Sequence, residues 1–118
     1  YVLENLNEEW DSKPAWKTAF QNFYNNLFLK NNNLDKIIVR PHPKDDLSVY
    51  DDLHNFDNLS FDTNISGIKS LKEVSTVVGI ESYFLHLASQ CGFNVYTSIP
   101  KKIRKPRLPK ESYKYIMH

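Results

Sequence analysis

Residues 74–100, VSTVVGIESYFLHLASQCGFNVYTSIP, constrain the fold more than any other stretch of the chain. Thr76, Val77 and Val78 form a short β-branched run that meets Gly79. An amphipathic run follows to Cys91, Gly92 closes it, and a second strand-like run from Phe93 to Ile99 stops at Pro100. This order reads as strand, helix and parallel strand, with glycine at the helix C-terminus and a functional turn at Gly79-Ile80-Glu81-Ser82. In a parallel sheet the strand ends and helix N-termini meet on one edge, where free backbone N–H groups and the helix dipole favour an anion such as phosphate. Glu81 and Ser82 fall on that edge.

The rest of the chain repeats the alternation. Asp11-Ser12 reads as a helix cap and Pro14 suits a first helical turn; Trp16, Ala19, Phe20, Phe23 and Leu27 then recur at helical spacing, an aromatic stripe that belongs in a core. Asn31-Asn32-Asn33 turns the chain. Residues 36–39 form a compact strand that runs into Arg40-Pro41-His42-Pro43-Lys44-Asp45. Each proline fixes its own φ and biases its predecessor toward extended geometry, so His42 is held stiffly just past a strand end, between the cations Arg40 and Lys44. A histidine so placed is suited to hydrogen-bond a phosphate or to protonate a departing one. The plainer reading is a turn histidine that caps a loop, and local sequence does not separate the two.

Residues 45–58 are acidic and read as a short surface helix. Their carboxylates match no calcium-loop spacing, and His54 belongs to the same solvated face. Residues 58–62 make a brief strand, residues 63–67 a loop on the ligand edge, and Ser66 and Ser70 are candidate caps for a helix through Ile68, Leu71 and Val74. The whole predicts an α/β fold with a Rossmann-like parallel sheet, helices on both faces and ligands at the carboxyl ends of the strands. Residues 1–11 are expected as an extended lead-in, 12–100 as the α/β domain and 101–118 as a basic tail.

Composition narrows the function. A chain of 118 residues holds one domain with a real core. The net charge of +1 argues against a nucleic-acid partner bound by bulk electrostatics, and no apolar run reaches the ~20 residues of a spanning helix. The single cysteine, Cys91, excludes an internal disulfide, makes zinc a poor candidate and is expected to be a buried small hydrophobe in a reducing compartment. With no initiator Met and no signal-peptide pattern at Tyr1, the chain reads as a domain of something longer.

IIVRPHPKD, followed about thirty-five residues later by VVGIESYFLHLASQCGFNVYTSIP, resembles the C-terminal nucleotide-binding domain of bacterial GT-B-type glycosyltransferases, especially sialyltransferases and related capsule or lipooligosaccharide transferases. The resemblance covers residues 36–100. It implies that His42-Pro43 contacts the cytidine monophosphate part of a nucleotide-sugar donor, that Ser82 at the helix start binds its phosphate, and that Glu81 holds the ribose hydroxyls. His42 is then the catalytic residue, with Arg40, Pro43, Lys44, Glu81 and Ser82 binding the donor. No cofactor and no metal are expected, because phosphate charge is neutralised by side chains and a helix N-terminus. Sialyltransferases take their general base from an Asp/Glu-rich motif ending in glycine on the other domain. Here Glu8-Glu9, Asp45-Asp46 and Asp51-Asp52 are followed by Trp, Leu and Leu, so the resemblance implies a chain that binds donor but meets its glycan or lipid-linked acceptor through a second domain. Two alternatives remain open: a teichoic-acid-type glycerophosphotransferase domain, and a non-catalytic nucleotide-binding or interaction module.

The tail carries Lys101, Lys102, Arg104, Lys105, Arg107, Lys110 and Lys114, with Pro106 and Pro109 barring a regular helix. It reads either as a solvated linker or as a peripheral contact with anionic lipid, which suits a cytoplasmic enzyme working at the inner membrane. Tyr113, Tyr115 and Ile116 suggest a final helix.

Overall fold

The structure, a computed structural model, describes residues 1–31, 33–42, 45–62, 71 and 74–117. The β-branched runs form strands where the sequence places them. β3 (Ile37–Val39) pairs in parallel with β4 (Leu59–Phe61), and β5 (Thr76–Gly79) pairs in parallel with β6 (Asn94–Thr97). Val77 and Val78 are both buried, as expected for a strand covered on each side. Successive side chains of a strand point to opposite faces, and here they enter different clusters. Val78 packs with Ile37, Val39, Trp16, Phe20 and Phe23; Val77 packs with Val95, Leu85 and Ala88. Helix α1 (Ala15–Phe23) therefore lies against one face and α2 (Tyr83–Gln90) against the other. This is a mixed α/β fold built on short parallel sheets.

The opening residues are not a lead-in. Tyr1 N donates to Ile38 O (2.6 Å), Arg40 N to Tyr1 O (2.8 Å) and Leu3 N to Arg40 O (2.9 Å), while Val2 N reaches across to Val78 O (2.7 Å). Residues 1–3 thus run between β3 and β5, with Val2 bridged in parallel to Arg40. Val2 and Leu3 are buried on opposite faces, each in the cluster of its own side. The tail is folded as well. Its Lys114–Tyr115 forms β7, parallel to β6, where a final helix was expected. A two-residue strand has too few side chains to show its period, and pairing decided its conformation.

Asp11 and Ser12 do not cap a helix. Both take left-handed φ values (53° and 65°) and turn a hairpin between β1 (Glu9–Trp10) and β2 (Lys13–Pro14). Helix α1 begins behind Pro14 with no side-chain cap, and continues as a π-helical turn over Tyr24–Phe28. Its stripe of Trp16, Phe20, Phe23 and Phe28 is core. The acidic segment is a 3-10 helix (Leu47–Asn55) capped by Asp46, whose Oδ1 accepts from Ser48 N (3.0 Å), and it buries Tyr50 and Leu53. Ser66 and Ser70, proposed as caps, lie outside the described residues.

Two glycines matter. A Cβ on Gly79, at the end of β5, would sit 3.1 Å from Leu85 Cδ2 and 3.2 Å from Val2 Cβ, so this position lets α2 and residues 1–3 close on the strand end. Gly92, at φ 88°, turns the chain out of α2. The same turn corrects the reading of Cys91. The buried face of α2 is Leu85 and Ala88, the helix stops at Gln90, and Cys91 sits at its C-cap, exposed. A maleimide should therefore label the folded protein stoichiometrically within minutes at neutral pH. Labelling that requires denaturant would show the thiol to be buried. No described helix is long and apolar enough to cross a membrane.

Candidate functional site

The strand ends of residues 1–3, β3 and β5 open on one cleft of about 530 Å³, lined by residues 2–6, Arg40, Pro41, His42, Asp45, Ser82 and Phe84. Arg40 follows β3 directly. Its guanidinium lies 5.7 Å over the Phe84 ring, an aromatic from the first turn of α2. His42 is exposed, but its backbone is tightly held. Its N–H donates to Asp45 Oδ2 (3.1 Å) and its carbonyl accepts from Asp45 N (2.9 Å). The same Oδ2 accepts from the Tyr50 hydroxyl (3.1 Å), and Tyr50 is 0% exposed. A core side chain thereby fixes the loop that presents His42. Burial, followed by the Asp45 charge, pushes the Tyr50 phenol above its ordinary value, so it stays a donor.

Ser82 is the N-cap of α2. Its Oγ accepts from Phe84 N (3.2 Å), which leaves the hydroxyl proton for a partner in the cleft. The backbone N–H groups beside it are not free. Glu4 Oε2 accepts from Ile80 N (2.8 Å) and Glu81 N (2.9 Å), and Oε1 accepts from Glu81 N (3.2 Å). The chain's own carboxylate thus occupies the turn where a phosphate was expected to find open amides. Burial raises the Glu4 carboxyl above its usual range, and the amides of Glu81, Ile80 and Ser82 oppose that rise.

Glu81 is not among the residues lining the cleft. Its side chain is only 7% exposed and is gripped by Arg104, with Nη1 to Oε1 at 2.8 Å and Nη2 to Oε2 at 3.0 Å. Arg107 N adds a bond of 2.9 Å to Oε1. Arg104 also holds Glu8, Nε to Oε1 at 3.1 Å and Nη2 to Oε2 at 2.7 Å, and lies 5.9 Å over the Trp10 ring. Arg104 of the tail is therefore ion-paired inside the fold, while Arg107, its guanidinium mostly exposed, reaches Glu81 at 3.4 Å. Burial alone would raise the Glu81 carboxyl; the hydrogen bonds from Arg104 and Arg107 N outweigh it and leave it below its ordinary value. The bond from Arg104 likewise holds the Glu8 carboxyl low.

Of the residues singled out from sequence, Arg40, His42 and Ser82 come together, while Glu81 faces Arg104, and Pro43 and Lys44 lie outside the described residues. His54 is exposed on the 3-10 helix, with its ring 5.3 Å from Phe61, and does not line the cleft. Glu4 and Asp45 were missed as cleft residues. Among the described residues, no three His, Cys, Asp or Glu side chains converge as metal ligands. The chain matches no protein-family model, no curated protein and no solved structure.

Proposed function

We propose that this chain is the donor-binding domain of a sialyltransferase-like glycosyltransferase of the GT-B kind, which moves a sugar from a nucleotide to a glycan hydroxyl during bacterial surface polysaccharide synthesis. The observation that supports this is the convergence of Arg40, His42 and Ser82, from separate segments, on one cleft at the carboxyl ends of parallel strands. Because Glu4 already takes the turn amides, the donor phosphate rests on the Arg40 guanidinium, the His42 ring and the Ser82 hydroxyl. As the bond from sugar to phosphate breaks, Arg40 and Ser82 stabilise the charge gathering on the phosphate, and His42 donates a hydrogen bond or proton to it. The acceptor hydroxyl is deprotonated by a base of the second domain.

The test is a calorimetric titration of the protein with cytidine, uridine and adenosine monophosphates. Cytidine monophosphate is expected to bind most tightly, with weak absolute affinity because one domain supplies all the contacts. Equal binding of the three removes the cytidine donor. No binding of any removes the transferase reading and favours a non-catalytic module.

A further inference from the structure

The charges along the cleft bear on which phosphate ligand it accepts, and this rests on the nucleotide-binding reading above. Arg40 and His42 are its basic side chains, Glu4 and Asp45 its acidic ones. The donors that hold the Glu4 carboxylate are neutral backbone amides. They fix its position and oppose the rise that burial imposes on its carboxyl, yet, unlike a salt bridge, they leave the negative charge of the carboxylate uncancelled. Nor is the carboxylate free to swing away. Residues 1–3 are hydrogen-bonded to β3 and β5, so Glu4 leaves the sheet at a set point, and both its oxygens are engaged at the turn.

We propose that Glu4 is a specificity-determining residue of the cleft: its fixed negative charge admits a ligand with one phosphate beside Arg40 and His42 and discriminates against a second phosphate. A pyrophosphate brings further negative charge into the same space, and Asp45 is a second carboxylate there, tied to His42 N and the Tyr50 hydroxyl. Two like unit charges several ångströms apart at a protein surface repel enough to separate two ligands by about tenfold. The Phe84 ring and the Ser82 hydroxyl treat the two alike, because neither carries charge.

The experiment compares cytidine monophosphate with cytidine diphosphate by calorimetry at constant ionic strength. It uses the wild type, Glu4→Gln and Glu9→Gln; Glu9 is exposed in β1 and outside the cleft, so the last is a control for net charge. Glutamine keeps an oxygen for the turn amides while removing the charge. Wild type and Glu9→Gln are expected to favour the monophosphate by about tenfold, and Glu4→Gln to lose most of that preference through tighter diphosphate binding. A merely structural role for Glu4 would instead weaken both ligands together and leave their ratio unchanged, and that result overturns the proposal. A salt series on the wild type gives a test that needs no variant. The preference should narrow as screening increases, and tighter binding of the diphosphate at low salt also overturns the role of Glu4. Binding with an unaltered ratio removes only the selectivity. Failure of either nucleotide to bind any of the three proteins removes the nucleotide-binding reading, and the role of Glu4 with it.

Discussion

Arg104→Ala is expected to cost ~2–3 kcal/mol of folding stability, less than the loss of a fully buried ion-pair partner because Arg107 still contacts Glu81. For a domain of this size that is a fall of about 10 °C in Tm. One guanidinium from the tail joins two distant parts of the chain: the start of the hairpin, where it pairs with Glu8 and covers the Trp10 ring with its face, and the turn before α2, where it pairs with Glu81. Alanine leaves the Glu81 carboxylate, 7% exposed, with the Arg107 backbone N–H and a longer contact at 3.4 Å from a mostly exposed guanidinium. Arg104→Lys should recover only part of the loss, since an ammonium cannot grip two carboxylates as a planar fork does. The effect also has a pH signature. Glu81 and Glu8 both sit below their ordinary values when folded, so the stability they contribute is complete above the unfolded carboxyl range and disappears as pH falls through the folded values. The gap in Tm between wild type and Arg104→Ala should be widest near neutral pH, begin to narrow as pH falls through the ordinary glutamate value of about 4.3, and close only below it. Thermal melts of both proteins from pH 3 to 8 measure it. A gap that does not depend on pH would mean that the loss is one of packing against Trp10, not of charge.

What could be read from sequence and what could not follows the range of the interactions that decide each element. β3, β5, β6 and α2 announce themselves because β-branched runs and the spacing of Leu85 and Ala88 are local signals. Residues 1–3 carry no such signal. Three residues show no period, and their strand geometry comes from partners 37 and 76 positions away. β7 is shorter still and is set by Tyr96 and Thr97 across the sheet. Cys91 shared the apolar pattern of α2, but position on a helical wheel has no meaning beyond the last turn, and Gly92 ends the helix there.

The candidate site divides in the same way. Arg40, His42 and Ser82 were visible because each follows a recognisable strand or starts a recognisable helix. Glu4 follows a strand too, but one the sequence does not reveal; once residues 1–3 are placed in the sheet, the rule that functional groups gather past the carboxyl ends of parallel strands points to Glu4 as directly as to His42. Glu81 shows the converse. Adjacent to Ser82 in sequence, it is drawn from the cleft by Arg104, and no local pattern pairs residues 81 and 104.

His42→Ala should weaken cytidine monophosphate binding by roughly 10- to 100-fold, the loss of a charge-assisted hydrogen bond worth about 1.5–3 kcal/mol. The fold of the loop should survive. The ring is exposed, and the bonds that shape its loop, His42 N to Asp45 Oδ2 and Asp45 N to His42 O, use backbone atoms that alanine retains. His54→Ala is the control, since His54 is exposed in the same way but does not line the cleft, and it should leave binding within about twofold. Calorimetric titrations of the three proteins, with melts to show that each is folded, decide the matter. In an enzyme that joins this domain to its acceptor-binding partner, the same substitution should lower kcat more than it raises the KM for acceptor. The hydrogen bond strengthens as charge collects on the departing phosphate, whereas the acceptor is bound elsewhere. If His42→Ala and His54→Ala bind the nucleotide alike, His42 has no part in holding a phosphate, and the transfer chemistry loses the residue on which it depends.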